Sequence, residues 1–389
     1  MRILILSDFE LPDKSASAAR TFEFAKIFSE LNHDVEILGT NYGSLSDSYG
    51  TYESYQFKNM GGKCEGNLLT RRNNRMKKIT EKLEKEIIQR QNETKIDIIF
   101  LVGYIWDYNF TIRKIAKRYN IKLISDVVEW YDKKSFSGLA GPIKFIQNRI
   151  GLIFLLKRNK NLVCISTLLQ NYYKEKECNV IRIPTILDMK NYEKVSVSDN
   201  SKLIISYAGM PRKKDKLLNV IKSINLLTET EKESIELRIY GPTLEELELS
   251  GITKDILNLS SQSVICKGRI PKSEVFSELK KSDFTILLRP NLRYANAGFP
   301  TKVGESLAAG VPVITNITSD LSMYLDHLEN SIIVKNDSPE ECAKGLRTAL
   351  NLTVTELELM KKKSYEDAYK YFDYHNYLDS MENFLKNIQ

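Results

Sequence analysis

Residues Asn296 to Ile314 of this chain read NAGFPTKVGESLAAGVPVI. Gly298 and Pro300 predict the start of a helix, because proline is tolerated in a first turn whose N–H groups have no partner within the helix. Gly310 predicts the end of that helix, and the apolar residues that follow predict a buried strand. The stretch therefore predicts a helix that leads into a strand of an α/β sheet.

The N-terminus of this predicted helix suits an anion. Its backbone N–H groups and the positive end of the helix dipole stabilise a group such as a diphosphate. Thr301 and Glu305 share one face, which places the Glu305 carboxylate about 6 Å along the axis from the helix mouth. A carboxylate there is able to accept two hydrogen bonds from a ribose diol. The pattern predicts a nucleotide site, and an ordinary helix-to-strand turn is the alternative.

The stretch resembles the sugar-nucleotide signature of retaining glycosyltransferases of family 4. Gly298-Phe299-Pro300, Glu305 and the run from Gly310 to Ile314 match that motif, whereas Ala297 stands where the family has a Glu that contacts the donor sugar. The resemblance implies an α/β protein of the GT-B fold, with two Rossmann-like domains facing a central cleft. It also implies that the donor is bound by Gly298, Phe299, Pro300, Thr301, Lys302 and Glu305.

Whole-chain properties set the bounds of this interpretation. A length of 389 residues predicts two domains. The net charge of +7 suits an anionic ligand or membrane surface and is too dispersed to indicate nucleic acid. The 5 cysteines show no metal-ligand spacing, so we expect a reduced protein without structural zinc. With no recognisable signal peptide or membrane-spanning run, we expect a cytoplasmic protein that at most lies on the inner face of the membrane.

The order of apolar runs predicts the domain organisation. Residues 1–195 are predicted to form a Rossmann-like acceptor domain and residues 203–365 a Rossmann-like donor domain, with a polar linker between them. Residues 366–389 are predicted to form a helix that crosses back to the first domain. The small residues from Ser15 to Ala19 lead into a helix, and the resemblance places this loop at the donor phosphates. Ala16 is therefore a donor-binding candidate, with a plain helix start as the alternative.

Two carboxylates follow a predicted strand of the first domain. Asp126 and Glu129 come after the predicted strand 122–125, and ligands of open parallel sheets bind beyond the carboxyl ends of the strands. Such a carboxylate is able to hold or deprotonate an acceptor hydroxyl. We take Asp126 and Glu129 as catalytic candidates on the acceptor side. Helix caps and surface acids are the alternative, and the family's His-containing motif is absent here.

A cationic turn follows the first strand of the second domain. Arg212, Lys213 and Lys214 come after Gly209, and three consecutive cations repel one another unless an anion lies there. In the resembling family an Arg and a Lys at this point neutralise the leaving diphosphate. Lys214 matches that Lys and Arg212 is displaced by a residue or two, so both are catalytic candidates, while Lys213 is expected to face solvent. A solvated turn is the alternative.

Two further donor-binding candidates lie at the ends of predicted strands. Gly241 ends the run 237–241, as in the family's base-binding region, and Arg289 follows the run 284–288, with a surface ion pair as its alternative. Because cations and a helix dipole can offset the charge of the leaving group, no metal and no cofactor is expected.

Two basic stretches, 58–90 and 144–160, alternate with apolar residues. The second has a composition suited to the headgroup boundary of an anionic leaflet, which would bring the protein to a lipid-linked acceptor. A solvated basic face on a helix buried against the sheet is the alternative.

These features favour a retaining glycosyltransferase, hexosyl or N-acetylhexosaminyl, that uses a nucleotide-diphosphate sugar, UDP-linked above all. The acceptor class is a glycan, a lipid-linked molecule or a protein, as in cell-surface polysaccharide or glycoconjugate biosynthesis. No nucleic-acid partner is expected. A sugar-nucleotide epimerase of the same fold and a non-catalytic sugar-nucleotide-binding protein are the alternatives.

Overall fold

The computed structural model describes residues 1–64, 68–103, 106–133, 136, 141–192, 201–211, 214–258 and 262–388. The chain forms two compact units, Met1–Ile186 with Tyr374–Gln389, and Leu187–Asp373. The change of unit at residue 186 comes before the predicted linker at 196–202, of which 196–200 lie outside the described residues. The return to the first unit comes at Tyr374, later than the predicted residue 366.

The first unit is built on a sheet of eight described strands. These strands are β1 (Arg2–Ser7), β2 (Asp34–Asn41), β3 (Ser48–Tyr52), β4 (Tyr55–Gly61), β5 (Ile98–Val102), β6 (Lys122–Val127), β7 (Asn161–Cys164) and β8 (Asn179–Arg182). Their order is β3-β4-β2-β1-β5-β6-β7-β8, and only the edge pair β3–β4 is antiparallel. The parallel strands β1 and β5 are apolar on both faces, as strands covered by helices on both sides must be.

Helices cover both faces of this sheet. They are α1 (Ala16–Glu30), α2 (Leu68–Glu93), α3 (Trp106–Tyr119), α4 (Gly141–Ile150), a π-helical turn (Gly151–Leu155), α5 (Leu156–Asn159) and α6 (Thr167–Lys174). Successive side chains of a strand point to opposite faces. Ile3 and Ile5 of β1 therefore join one core with α1, whereas Leu4 and Leu6 join another with α2 and α3.

The second unit has a sheet of six described strands, all parallel. They are β9 (Leu203–Ala208), β10 (Ile235–Tyr240), β11 (Val264–Gly268), β12 (Phe284–Leu287), β13 (Val313–Asn316) and β14 (Ser331–Val334). The order β11-β10-β9-β12-β13-β14 is the 3-2-1-4-5-6 order of a Rossmann fold. Strand order reverses between β9 and β12, so the carboxyl ends of these two strands are where a ligand is expected.

The helices of the second unit are α7 (Leu217–Ile224), α8 (Glu229–Glu233), α9 (Leu244–Leu249), α10 (Lys254–Asn258), α11 (Lys272–Lys280), α12 (Arg293–Ala297), α13 (Thr301–Ala308), α14 (Pro339–Leu350) and α15 (Val354–Phe372). Short 3₁₀ turns lie at Met189–Asn191 and Leu321–Met323. Along the part of the chain that the structure describes, no helix is both long and apolar enough to cross a membrane.

The chain ends in the first unit. A 3₁₀ turn at Tyr374–Tyr377 leads into α16 (Leu378–Lys386), whose Met381 and Phe384 are buried in the core that contains α1. The Asn179 side chain at β8 donates a hydrogen bond of 3.0 Å to the Asn387 carbonyl. The C-terminal helix thus adds apolar surface to the first sheet.

Candidate functional site

The stretch from Asn296 to Ile314 folds into a helix and a strand, as predicted. Pro300 is the N-cap of α13 and not part of its first turn. At the other end Gly310 has φ +66°, and its N–H donates to the Leu307 carbonyl at 2.8 Å. The next N–H, of Val311, donates to the Ser306 carbonyl at 3.0 Å. These two bonds satisfy the last carbonyls of the helix and turn the chain into β13.

Two glycines close the carboxyl ends of β9 and β10. Gly209 has φ +122° and Gly241 has φ +117°, conformations that only glycine adopts readily. A Cβ atom on Gly241 would lie 3.0 Å from the carbonyl carbon of Gly209. A Cβ atom on Gly209 would lie 2.7 Å from Cε of Lys302. The missing side chains therefore allow Lys302 to lie across the end of β9.

Lys302 is the second residue of α13 and is bound by two groups. Its Nζ donates to the Tyr207 hydroxyl at 2.9 Å and to the Asp215 carboxylate. The Tyr207 hydroxyl in turn donates to Asp215 at 2.9 Å. The Lys302 and Asp215 side chains are only 28% and 15% exposed. Lys302 was predicted to bind the donor, but the roles of Tyr207 and Asp215 were not recognised from the sequence.

The groups around Lys302 have opposing effects on its pKa. Burial lowers its pKa from the ordinary value, the carboxylates of Asp215 and Glu305 oppose this, and Arg289 adds to it. Burial also raises the pKa of Tyr207, as does the adjacent Asp215. Lys302, Arg289 and Glu305 therefore lie close enough together to influence one another electrostatically.

Arg289 follows β12 and is 3% exposed, so the alternative of a surface ion pair is wrong. Its backbone N–H donates to the Asn316 side chain at 2.9 Å, and its carbonyl accepts from the same amide at 2.8 Å. This two-way pairing fixes the chain beyond β12 to the end of β13.

The residues before α13 have different surroundings. Gly298 is the C-cap of α12, and Thr301 is the partly exposed first residue of α13. The Phe299 ring lies 5.5 Å from that of Tyr324 and 5.8 Å from that of Phe372. The side chain of Phe299 therefore belongs to the core, and only its backbone is available to a donor.

The cationic turn is described only from Lys214 onward, because Arg212 and Lys213 lie outside the described residues. Lys214 is partly exposed. Its neighbour Lys216 donates a backbone hydrogen bond of 2.9 Å to the Leu288 carbonyl. The C-terminal end of the turn is thereby fixed beside β12, where strand order reverses.

In the first unit, the assignment of Asp126 to an acceptor is corrected. Asp126 is 1% exposed and binds Arg20 through two hydrogen bonds of 2.9 and 3.1 Å. Arg20 also donates to the carbonyls of Ile183 and Pro184. Both carboxylate oxygens are engaged in this buried pair, so Asp126 has a structural role. No local pattern in the sequence identifies Arg20 as its partner.

Two other candidates of the first unit differ from Asp126 in being at least partly exposed. Glu129 lies beyond the end of β6 and is partly exposed. Ala16 is the exposed first residue of α1, and the preceding Ser15 caps that helix by accepting a hydrogen bond of 3.1 Å from the N–H of Ala18. The donor role of Ala16 and the acceptor role of Glu129 stay predictions. Among the described residues, no cluster of three His, Cys, Asp or Glu side chains forms a metal site.

Comparison with known proteins agrees with this architecture. Residues 188–367 match the family model described as Glycosyl transferases group 1. No curated protein sequence matches the chain at a significant level.

Solved structures match over the whole length. Sucrose-phosphate synthase from Thermosynechococcus elongatus has a TM-score of 0.74 at 11% identity, with 99% of this chain and 98% of that chain covered. Anabaena HepE in complex with UDP and glucose has a TM-score of 0.71 at 13% identity, with 100% of both chains covered. An E. coli structure titled trehalose-6-phosphate bound with UDP-2-fluoro glucose has a TM-score of 0.72 at 10% identity, also with 100% of both chains covered. The chain therefore has the GT-B fold, and its second unit matches the family model of glycosyl transferases group 1.

Proposed function

We propose that this protein is a retaining glycosyltransferase that uses a nucleotide-diphosphate sugar, with UDP as the nucleotide. The observation that carries the proposal is the group of residues at the reversal of strand order in the second unit. Gly209 leaves room there for Lys302, and the mouth of α13 brings Lys302, Arg289 and Glu305 together. Two solved structures with this fold are ligand complexes, one from E. coli with UDP-2-fluoro glucose and Anabaena HepE with UDP and glucose.

Each group has a chemical role in this proposal. The N-terminus of α13 and Lys302 bind the diphosphate, because backbone N–H groups and a cation both favour an anion. Glu305 accepts hydrogen bonds from the ribose. Lys214 and Arg212 stabilise the negative charge that grows on the diphosphate as the glycosidic bond breaks. Ala16 and Gly241 allow close approach of backbone to the donor, and Glu129 is the remaining carboxylate candidate for the acceptor.

An assay of nucleotide release separates this function from its rivals. Purified protein is incubated with UDP-sugars, hexosyl and N-acetylhexosaminyl, with and without candidate glycan, lipid-linked and protein acceptors. A transferase releases UDP faster with its acceptor and forms a glycosylated product with retained anomeric configuration. An epimerase changes the sugar without any acceptor. A binding protein shows affinity by calorimetry and no turnover with any acceptor.

We further propose that the 141–160 segment binds the anionic inner face of the membrane, which would place a cytoplasmic enzyme at a lipid-linked acceptor. The segment contains no acidic residue, and Lys144, Lys157, Arg158 and Lys160 are all exposed. Ile143, Ile146 and Phe154 are exposed by 59%, 56% and 53%. Exposed apolar side chains beside cations suit the boundary between headgroups and acyl chains.

Buried leucines anchor the 141–160 segment to the first unit. Leu152, Leu155 and Leu156 are buried, so the C-terminal half also packs against the first unit. The other basic stretch, 58–90, is a weaker candidate. Lys58 and Lys82 in it pair with Asp47, and Arg90 pairs with Glu36 and Glu86.

A further inference from the structure

We propose that Asp215 is a positioning residue that holds the Lys302 ammonium across the end of β9, at the diphosphate site. The inference deepens the proposed function and rests on it. The sequence predicted cations around the diphosphate, and the inference adds a carboxylate that holds one of them.

The position of Lys302 needs such a partner. A cation in the first turn of a helix is disfavoured by the positive end of the helix dipole. Its side chain is largely buried, so hydration offsets little of this cost. The Asp215 carboxylate and the Tyr207 hydroxyl supply two hydrogen-bond acceptors for the ammonium group. Without the carboxylate, a buried cation would remain beside a helix N-terminus.

Asp215 is itself held in place. It accepts a hydrogen bond from the buried Tyr207 hydroxyl, and the next residue, Lys216, is bound through its backbone to the Leu288 carbonyl. The carboxylate is thus fixed relative to both β9 and β12. Since Lys214 is the residue before Asp215, one carboxylate connects the cationic turn to the mouth of α13.

The titratable groups that face Lys302 make the role testable through pH. They are Asp215 from the turn, Tyr207 from β9, Glu305 from α13 and Arg289 from beyond β12. Burial and Arg289 lower the pKa of Lys302, whereas Asp215 and Glu305 raise it. Removing the Asp215 charge therefore lowers this pKa further. Lys302 then loses its proton at a lower pH, and the loss of the diphosphate contact appears first under alkaline conditions.

The experiment compares wild type with Asp215→Asn between about pH 7 and about pH 10, below the ordinary pKa of lysine. UDP affinity is measured by calorimetry and kcat/KM by UDP release. We expect the alkaline decline of UDP affinity and of kcat/KM to begin at a lower pH in Asp215→Asn. Above the lowered pKa of Lys302, each further pH unit should reduce both quantities about tenfold. A purely structural role would reduce both quantities by the same factor at every pH.

Two variants make the result specific. Lys302→Arg in the Asp215→Asn background should restore the alkaline affinity, because a guanidinium stays charged throughout this range. Tyr207→Phe removes a hydroxyl and no charge, so its alkaline decline should stay near the wild-type position. An unshifted decline in a folded Asp215→Asn protein, or no rescue by arginine, would overturn the inference.

A third measurement separates this inference from the proposed function. The pKa of Lys302 is followed directly by NMR of ¹³Cε-labelled lysine, with Lys302→Arg to assign the signal. If wild type binds and transfers from no UDP-sugar, the proposed function fails, and so does the role at a diphosphate site. If UDP-sugars are used but the Lys302 signal titrates alike in wild type and Asp215→Asn, only the positioning role fails.

Discussion

Arg20 and Asp126 form a buried, two-bonded ion pair that links α1 to β6 in the first unit. The Arg20 Nε and Nη2 atoms donate to the two Asp126 oxygens at 2.9 and 3.1 Å. The two residues are 106 positions apart in the sequence. The pair explains why a carboxylate at the end of a parallel strand serves the fold here and not an acceptor.

We expect Arg20→Ala to destabilise the protein by about 3 to 5 kcal/mol, because it leaves the Asp126 charge buried and unpaired. Denaturant unfolding followed by circular dichroism measures this. Lys77→Ala is the control, since Lys77 is 78% exposed and its contact with Glu81 is 3.9 Å long. An exposed pair of this kind contributes about 0 to 1 kcal/mol. Equal midpoints for the two variants would contradict the structural role.

Gly209→Ala should weaken UDP binding, because its Cβ would lie 2.7 Å from Cε of Lys302 and displace that side chain. Calorimetry with UDP measures the effect. Gly251→Ala is a matched control: Gly251 also has a positive φ, of +85°, but nothing lies within 4 Å of its Cβ position. Backbone strain is common to both variants, so a larger loss of affinity in Gly209→Ala reports the contact with Lys302. Equal affinities would argue against Lys302 as a donor ligand.

Glu305→Ala should raise the dissociation constant for UDP. A hydrogen bond to a charged acceptor contributes about 1.5 to 3 kcal/mol, which corresponds to roughly a tenfold to hundredfold change. The ribose assignment is tested with 2′,3′-dideoxy-UDP in a double-mutant cycle. This ligand should bind wild type more weakly than UDP does, and Glu305→Ala should reduce its affinity little further. Independent, additive losses would show that Glu305 acts elsewhere than on the diol.

Lys214→Ala should lower kcat by about a hundredfold or more, because one preorganised stabiliser of developing charge contributes about 2.7 to 4 kcal/mol. The effect should fall mainly on kcat, since the diphosphate gains charge as the glycosidic bond breaks. Turnover is measured at saturating donor and acceptor, with Lys213→Ala as the neighbouring control. If both variants lose activity equally, or Lys214→Ala stays within a few-fold of wild type, Lys214 has no such role.

Ile143→Glu with Ile146→Glu should abolish sedimentation with vesicles that contain anionic phospholipid. The change places two acids at exposed apolar positions of the 141–160 segment. Leu249→Glu is the control, because Leu249 is 84% exposed but lies in the second unit. Binding of wild type should also weaken as salt is raised. No wild-type binding at low salt, or equal binding by all three proteins, would remove the membrane proposal.

Much of the second unit follows from local sequence patterns. The run from Gly298 to Ile314 predicts its helix and strand because caps, terminal glycines and apolar spacing act between neighbours in the chain. The same patterns indicate glycines at the ends of β9 and β10. They also place Lys302 and Glu305 at one helix mouth, three residues apart. These predictions depend only on which residues are adjacent.

Other parts of the site depend on contacts between distant residues. Asp215 and Lys302 are 87 positions apart, and the sequence alone assigned the cations around them without the carboxylate that binds one of them. Asp126 was likewise predicted to serve an acceptor, but in the fold it pairs with Arg20. Phe299 was predicted to bind the donor, but its ring packs against Tyr324.

Local sequence patterns predicted the helix and strand of the run 298–314 and the glycine-bearing ends of β9 and β10, because short-range spacing encodes them. The tertiary structure was needed to show which charged side chains pair with one another inside the fold, such as Arg20 with Asp126 and Lys302 with Asp215. The physical reason is that pairing depends on strand order and register, which bring residues together from opposite ends of a domain. A charge buried by that packing must find a partner there, whatever its position in the sequence suggests.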